Sequence, residues 1–122
     1  MKVLVVEDEA VQAKVLTSRL SAEGFDVAVA RDGVHAVATV RREQPHLILL
    51  DIGLPGGDGY VVLQRLKAMT PHSFLPVIVV SARTAEAERQ KMHSLGVDGY
   101  FEKPVNLAGL VECINELLHL RQ

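Results

Sequence analysis

Leu47-Ile48-Leu49-Leu50-Asp51 runs directly into Ile52-Gly53-Leu54-Pro55-Gly56-Gly57-Asp58-Gly59. The first segment is apolar without alternation, which suits a strand covered on both faces, as in a parallel sheet packed between helical layers. The second is too rich in Gly and Pro to continue that strand. Asp51 therefore stands where a buried strand gives way to a loop. In open α/β sheets the carboxyl ends of the strands are where ligands and chemistry gather. An Asp at such a junction also has the plainer job of capping a turn, and the surrounding chain has to separate the two readings.

Upstream, residues 3–6 form a second aliphatic run that also ends in acids, Glu7-Asp8-Glu9. Residues 9–23 favour a helix with Val11, Val15, Leu16 and Leu20 as apolar contacts, Lys14, Ser18 and Arg19 toward water, and Gly24 to end it. Residues 25–29 alternate at the strand period, and Asp32 is placed to cap a helix to about residue 43, with Ala36, Val37 and Val40 inward and Pro45 closing the connection.

Downstream, Asp58 or Gly59 opens a third helix carrying Val62, Leu63 and Leu66, and residues 70–73 read as a loop. Pro76-Val77-Ile78-Val79-Val80-Ser81 is another apolar strand ending in a polar residue. Thr84 caps a fourth, weakly apolar helix over residues 85–95. A short strand over residues 99–102 then ends in Lys103-Pro104. Asn106 caps the last helix, whose Leu107, Leu110, Val111, Ile114, Leu117 and Leu118 make a strong helical stripe.

Five strands alternating with five helices predict right-handed crossovers and a parallel sheet with helices on both faces. The flavodoxin-like, doubly wound α/β order 2-1-3-4-5 suits five strands. That order would bring Glu7, Asp8, Asp51, Ser81 and Lys103 onto one rim.

The composition bounds what such a rim can serve. The chain has 122 residues, 48% of them hydrophobic, which fits one globular domain spanning residues 1–122 with a real core. A net charge of −2 argues against a general nucleic-acid or anionic-membrane binder. Cys113 is the only cysteine, so an internal disulfide and a Cys-based zinc site are both excluded. The apolar run before Glu7 is too short for a signal peptide or a membrane span, so the expectation is a cytoplasmic protein. The five histidines are scattered without metal-ligand spacing and read as surface groups. Cys113, beside the last helix's stripe, reads as half-buried packing, and Arg83, Arg89 and Lys91 read as a solvated face.

Three converging carboxylates repel one another and require a proton or a cation. An all-oxygen set suits Mg²⁺, which keeps several waters and takes one or two carboxylates. Asp8 and Asp51 are candidates for direct ligation, with the Gly53 backbone carbonyl as a third ligand and the longer Glu7 holding a bound water. With its charge neutralised, Asp51 becomes a usable nucleophile toward a phosphoryl group. Lys103 and Ser81 are a cation and a hydroxyl of the kind the transferred oxygens need. Each residue also has a bland reading: Glu7 and Asp8 as acids at a helix start, Ser81 as a turn, Lys103 as a solvated charge. Jointly those readings must account for four strand ends whose polar groups all fit one reaction.

Those residues resemble the receiver domain of two-component response regulators over essentially the whole chain. The resemblance is carried by Val5-Val6-Glu7-Asp8-Glu9, by Asp51 through Gly59, by Val79-Val80-Ser81-Ala82, and by Gly96-Val97-Asp98-Gly99-Tyr100-Phe101-Glu102-Lys103-Pro104. It implies that Asp51 is the phosphoacceptor and that Glu7 and Asp8 form the acidic Mg²⁺ pocket. It implies that Ser81 is the switch hydroxyl, Tyr100 the switch aromatic and Lys103 the phosphoryl-pairing lysine, with Lys103-Pro104 a cis peptide. Glu7 stands where the family often has Asp, and Leu54 where Met is frequent.

The implied partners are a sensor histidine kinase or histidine phosphotransfer protein and a downstream target or fused output domain. A phosphorylation-dependent homodimer is compatible with this. The domain would assist its own phosphorylation without being a conventional enzyme, switching the surface of the fourth helix, fifth strand and fifth helix. A pseudo-receiver acting without phosphate is the competing binding-module reading. A flavin carrier would need a hydroxyl- and Gly-rich loop after the first strand, where this chain has Glu7-Asp8-Glu9. A haloacid-dehalogenase-type phosphatase would need a second Asp where Gly53 stands.

Overall fold

The computed structural model describes residues 1–52, 59–69, 75–82 and 86–119. Among these, strands and helices alternate: β1 (Lys2–Val6), α1 (Ala10–Ala22), β2 (Asp26–Ala30), α2 (Gly33–Glu43), β3 (Leu47–Asp51), α3 (Gly59–Met69), β4 (Val77–Ser81), α4 (Glu86–Ser94), β5 (Gly99–Glu102) and α5 (Leu107–His119). The strands form one parallel sheet in the order β2-β1-β3-β4-β5. The expected doubly wound, flavodoxin-like architecture is therefore the observed one.

The unbroken apolar runs follow from coverage on both faces. Leu4, Val6, Ile48, Leu50, Val77 and Val79 meet Ala36 and Val40 of α2, Leu63 and Leu66 of α3, and Met92 of α4. The intervening Val3, Val5, Leu47, Leu49 and Ile78 meet Leu16 and Leu20 of α1 and Leu110, Ile114 and Leu118 of α5. Burying each such aliphatic side chain contributes about 1.5–3 kcal/mol before conformational entropy is subtracted. On α4, by contrast, Met92 is the one buried side chain among the described residues.

The caps largely match the expected chemistry. The Asp32 carboxylate accepts the His35 N–H at 2.8 Å, and Asn106 Oδ1 accepts the Gly109 N–H at 3.0 Å. Gly24 has φ +94°, the left-handed conformation that ends α1. Gln44 ends α2 in the same region at φ 48°, an uncommon place for a side chain, with its N–H on the Val40 carbonyl at 3.0 Å. The expected Thr84 cap and the loop over residues 70–73 lie outside the described residues.

Two details of the sequence reading change. Val11 and Val15 face solvent, 67% and 44% exposed, because α1 docks through Ala13, Leu16 and Leu20. That i, i+3, i+7 stripe puts the i, i+4 pair Val11 and Val15 on another face. Val29 is also exposed, since β2 is an edge strand, while Phe25 and Val27 pack against the α1–α5 layer.

Thr17, on α1, has its hydroxyl oxygen buried without a hydrogen-bond partner among the described residues. A buried unsatisfied hydroxyl costs about 1–3 kcal/mol, and Val has nearly the same shape. Thr17→Val is expected to raise stability by roughly 1 kcal/mol in urea unfolding. A loss of stability would show that the hydroxyl is satisfied in solution.

Candidate functional site

Register builds the site. Val6 pairs with Leu50, so Glu7 and Asp51 follow side by side at the carboxyl ends of β1 and β3. Asp51 pairs with Val80, which puts Ser81 one step further along β4. Ser81 pairs with Glu102, and the Lys103 N–H donates to the Ser81 carbonyl at 2.8 Å. The Lys103-Pro104 peptide is cis. Four strand ends thus deliver one rim.

Glu7, Asp8 and Asp51 each present a carboxylate oxygen within 4.8 Å of the others. Glu7 and Asp51 are only 3% and 8% exposed, whereas Asp8 opens to solvent. The Lys103 ammonium reaches into this cluster, donating to Asp51 Oδ2 at 3.0 Å and Glu7 Oε1 at 3.4 Å. Ser81 is buried at the neighbouring strand end. Tyr100 sits apart from the acids, opposite Val79 in mid-β5, half-buried against the α4 side of the sheet. The Gly53 carbonyl lies outside the described residues.

Burial, then the hydrogen bond and negative charge of Asp51, push the Glu7 carboxyl from its ordinary 4.5 to about 7; Lys103 opposes this. For Lys103, burial works to lower the ammonium's pKa. The hydrogen bond and charge of Asp51, aided by Glu7, outweigh it and leave the value raised.

The Glu7 shift carries a stability consequence. The folded protein holds a proton on Glu7 that the unfolded chain releases above about pH 4.5. That stabilisation is full below pH 4.5 and disappears as pH rises through about 7. Metal-free protein is therefore expected to lose on the order of 2–3 kcal/mol across this window through Glu7. Glu7→Gln should flatten the profile, as read by urea unfolding at several pH values with a chelator present. An unchanged slope in Glu7→Gln would refute the assignment.

The donor set fits a hard divalent cation. Three carboxylates against one ammonium leave two formal negative charges, all ligand atoms are oxygens, and one acid is open to water. A dication bound there would take the place of the proton that burial and Asp51 favour on Glu7.

Two residues acquire roles that the sequence reading did not assign. Glu9 is the N-cap of α1, its carboxylate accepting the N–H groups of Val11 and Gln12 at 3.1 and 3.0 Å. Its place directly before a helical run is the signal, obscured because shorter side chains are the usual caps. Arg89 is exposed as expected, and it also lies over the Tyr100 ring at 5.4 Å and pairs with Glu102 at 3.5 Å. Cys113 is half-buried as expected, and burial followed by the charges of Glu116 and Asp98 raises its thiol pKa, which disfavours the thiolate.

Comparison with known proteins agrees with this geometry. Residues 3–115 match the family model of the response regulator receiver domain. The probable transcriptional regulator ycf27 of Porphyridium aerugineum is 38% identical over 96% of this chain and 48% of its own length. The probable transcriptional regulatory protein TcrX of Mycobacterium tuberculosis is 36% identical over 95% of the chain and 49% of its own. The chain thus spans about half the length of these curated relatives. Among solved structures, a Francisella response regulator 1452 receiver domain superposes with a TM-score of 0.92 at 27% identity, covering 99% of this chain and 98% of that one. A CheY-like receiver domain protein from Methanospirillum hungatei gives 0.89 at 28% identity, covering 97% and 93%.

Proposed function

The chain belongs to the response regulator receiver domain family of two-component systems, and from that premise we propose that it accepts a phosphoryl group on Asp51. The observation that carries this reading is the Lys103 ammonium on Asp51 within a three-carboxylate cluster. In the proposed reaction an Asp51 carboxylate oxygen attacks phosphorus in line with the leaving nitrogen of a phosphohistidine. The O–P bond forms as the N–P bond breaks, and the imidazole leaves and takes up a proton. The donor is a sensor histidine kinase or a histidine phosphotransfer protein. The exposed Val11–Val15 face of α1, with Lys14, Ser18 and Arg19, offers such a donor an apolar contact next to the acids.

Each side chain has a role by type and position. Glu7, Asp8 and Asp51 would hold Mg²⁺, with the Gly53 carbonyl as a further ligand; bound there, the ion neutralises the acids and the incoming phosphoryl oxygens. Lys103 pairs with the transferred oxygens and Ser81 supplies a hydroxyl donor. The aspartyl phosphate adds about two negative charges and three acceptor oxygens. Ser81 and Lys103 close on those oxygens, Tyr100 turns into the space Ser81 leaves, and the α4-β5-α5 surface changes. That surface addresses a downstream protein, a fused output domain or a second phosphorylated copy. The cytoplasm is where a kinase of this kind presents its phosphohistidine. The domain works as a signalling switch that assists its own phosphorylation.

Incubation with acetyl phosphate and Mg²⁺, followed by intact-mass analysis, tests the proposal. One phosphoryl adduct is expected, forming on the order of a hundredfold more slowly once Mg²⁺ is chelated. No adduct, or one indifferent to Mg²⁺, would reject it.

A further inference from the structure

Among the described residues, two polar interactions join β5 to α4, an element whose apolar anchorage is slight. Arg89 on α4 lays its guanidinium over the Tyr100 ring, 5.4 Å from the centroid, and brings Nη2 to 3.5 Å from Glu102 Oε2. Tyr100 and Glu102 are alternate residues of β5, so their side chains leave the same face of the sheet, and one guanidinium spans both. The next residue, Lys103, is the one hydrogen-bonded to Asp51. A short physical chain thus runs from Asp51 through Lys103 and the end of β5 to α4.

We propose that Arg89 is a positioning residue that latches Tyr100 and α4 in the unphosphorylated state. This rests on the reading above, in which Asp51 is the phosphoacceptor and Tyr100 moves on phosphorylation. Turning the ring toward the space beside Ser81 takes it out from under the guanidinium, and drawing Lys103 toward a phosphoryl group displaces Glu102 beside it. Both contacts are therefore made in one state and lost in the other, which is the requirement for biasing a two-state equilibrium. Exposure limits their strength: Arg89 and Glu102 side chains are 48% and 45% exposed. A solvated cation–π contact and a surface ion pair together bias the equilibrium by about threefold to tenfold. The latch tunes the switch without locking it.

The direction of this effect separates a latch from a merely structural contact. Beryllofluoride with Mg²⁺, a phosphoryl mimic on carboxylates, is titrated into wild type, Arg89→Ala and Arg89→Lys. Arg89→Ala is expected to bind about threefold to tenfold more tightly, because less bias opposes the switched state. Arg89→Lys, which keeps the charge but not the planar stacking, should fall between the two. Amide hydrogen exchange across Glu86–Ser94 should rise by a similar factor in Arg89→Ala without the mimic, with α1 and α2 unchanged. Equal or weaker binding by Arg89→Ala, or unaltered exchange in α4, would overturn the latch. Failure of wild type to bind the mimic would instead overturn the phosphoacceptor reading, and the exchange comparison would then decide the latch alone.

Discussion

Asp51→Asn is expected to show no phosphoryl adduct under conditions that convert wild type, and to be more stable than wild type when free of metal. Loss of the adduct is complete because an amide nitrogen is not a nucleophile toward phosphorus at neutral pH. The gain in stability follows from the same geometry. Asp51 and Glu7 are both nearly inaccessible to water and share one ammonium, so the pair keeps a proton or stays strained by like charge. With Asn at this position, Glu7 has Lys103 to itself and loses the neighbouring charge that helped push its pKa toward 7. A stabilisation of about 1–3 kcal/mol at pH 7.5 is expected, measured by urea unfolding with a chelator present. An adduct that persists in this variant would move the phosphoacceptor elsewhere. A variant less stable than wild type would mean that the Lys103–Asp51 pair outweighs the repulsion.

The second large effect is expected from Gly59→Ala, a substitution that ordinarily favours a helix. In an unstrained helix Ala gains about 0.5–1 kcal/mol over Gly. Here a Cβ would press on the Ile52 backbone, overlapping its carbonyl oxygen and lying 2.6 and 2.7 Å from its carbonyl carbon and Cα. Backbone has no rotamer to yield, so α3 or the β3 exit must shift, at a cost of about 3 kcal/mol or more. The clash wins by severalfold. Since Ile52 follows Asp51 directly, the shift also disturbs Asp51, the proposed phosphoacceptor. A fall in Tm of roughly 10 °C, with slower adduct formation in the surviving folded protein, is the expected result. A Tm equal to or above that of wild type would show that α3 does not approach β3 this closely.

Gly33 is similarly confined. Its added Cβ would press on Val62 Cγ2, which belongs to a buried β-branched side chain with little rotamer freedom on its helix. Neither contact could be read from the sequence. Gly59 sits in a glycine-rich stretch where every glycine looks like turn chemistry, and contact with Ile52 exists only once β3 and α3 are folded together.

The elements were legible because their signals are local. Apolar runs without alternation, Gly24 with its positive φ, and caps at Asp32 and Asn106 each depend on a few adjacent residues. Misreadings fell where the choice depended on what packs nearby. Val11 and Val15 are as hydrophobic as Leu16, and only docking of the Ala13–Leu16–Leu20 stripe against the sheet leaves them in solvent. Arg89 is the exposed cation the sequence suggests, and only the fold brings Tyr100 and Glu102 beneath it.

By itself the sequence determined which residue types stand at the ends of the strands: Glu7 and Asp8, Asp51, Ser81, Lys103. Period, β-branched content and turn chemistry suffice for that, since each strand ends where its apolar run ends. The tertiary structure alone decided how these groups act on one another. Placing β1 between β2 and β3 sets Glu7 beside Asp51, excludes water from both, and turns two ordinary acids into a pair holding a displaced proton. Placing β5 next to β4 aims Lys103 at Asp51 across 52 residues of chain. Desolvation and proximity are properties of the folded neighbourhood, and they make the Asp51 at the end of an apolar strand chemically distinct.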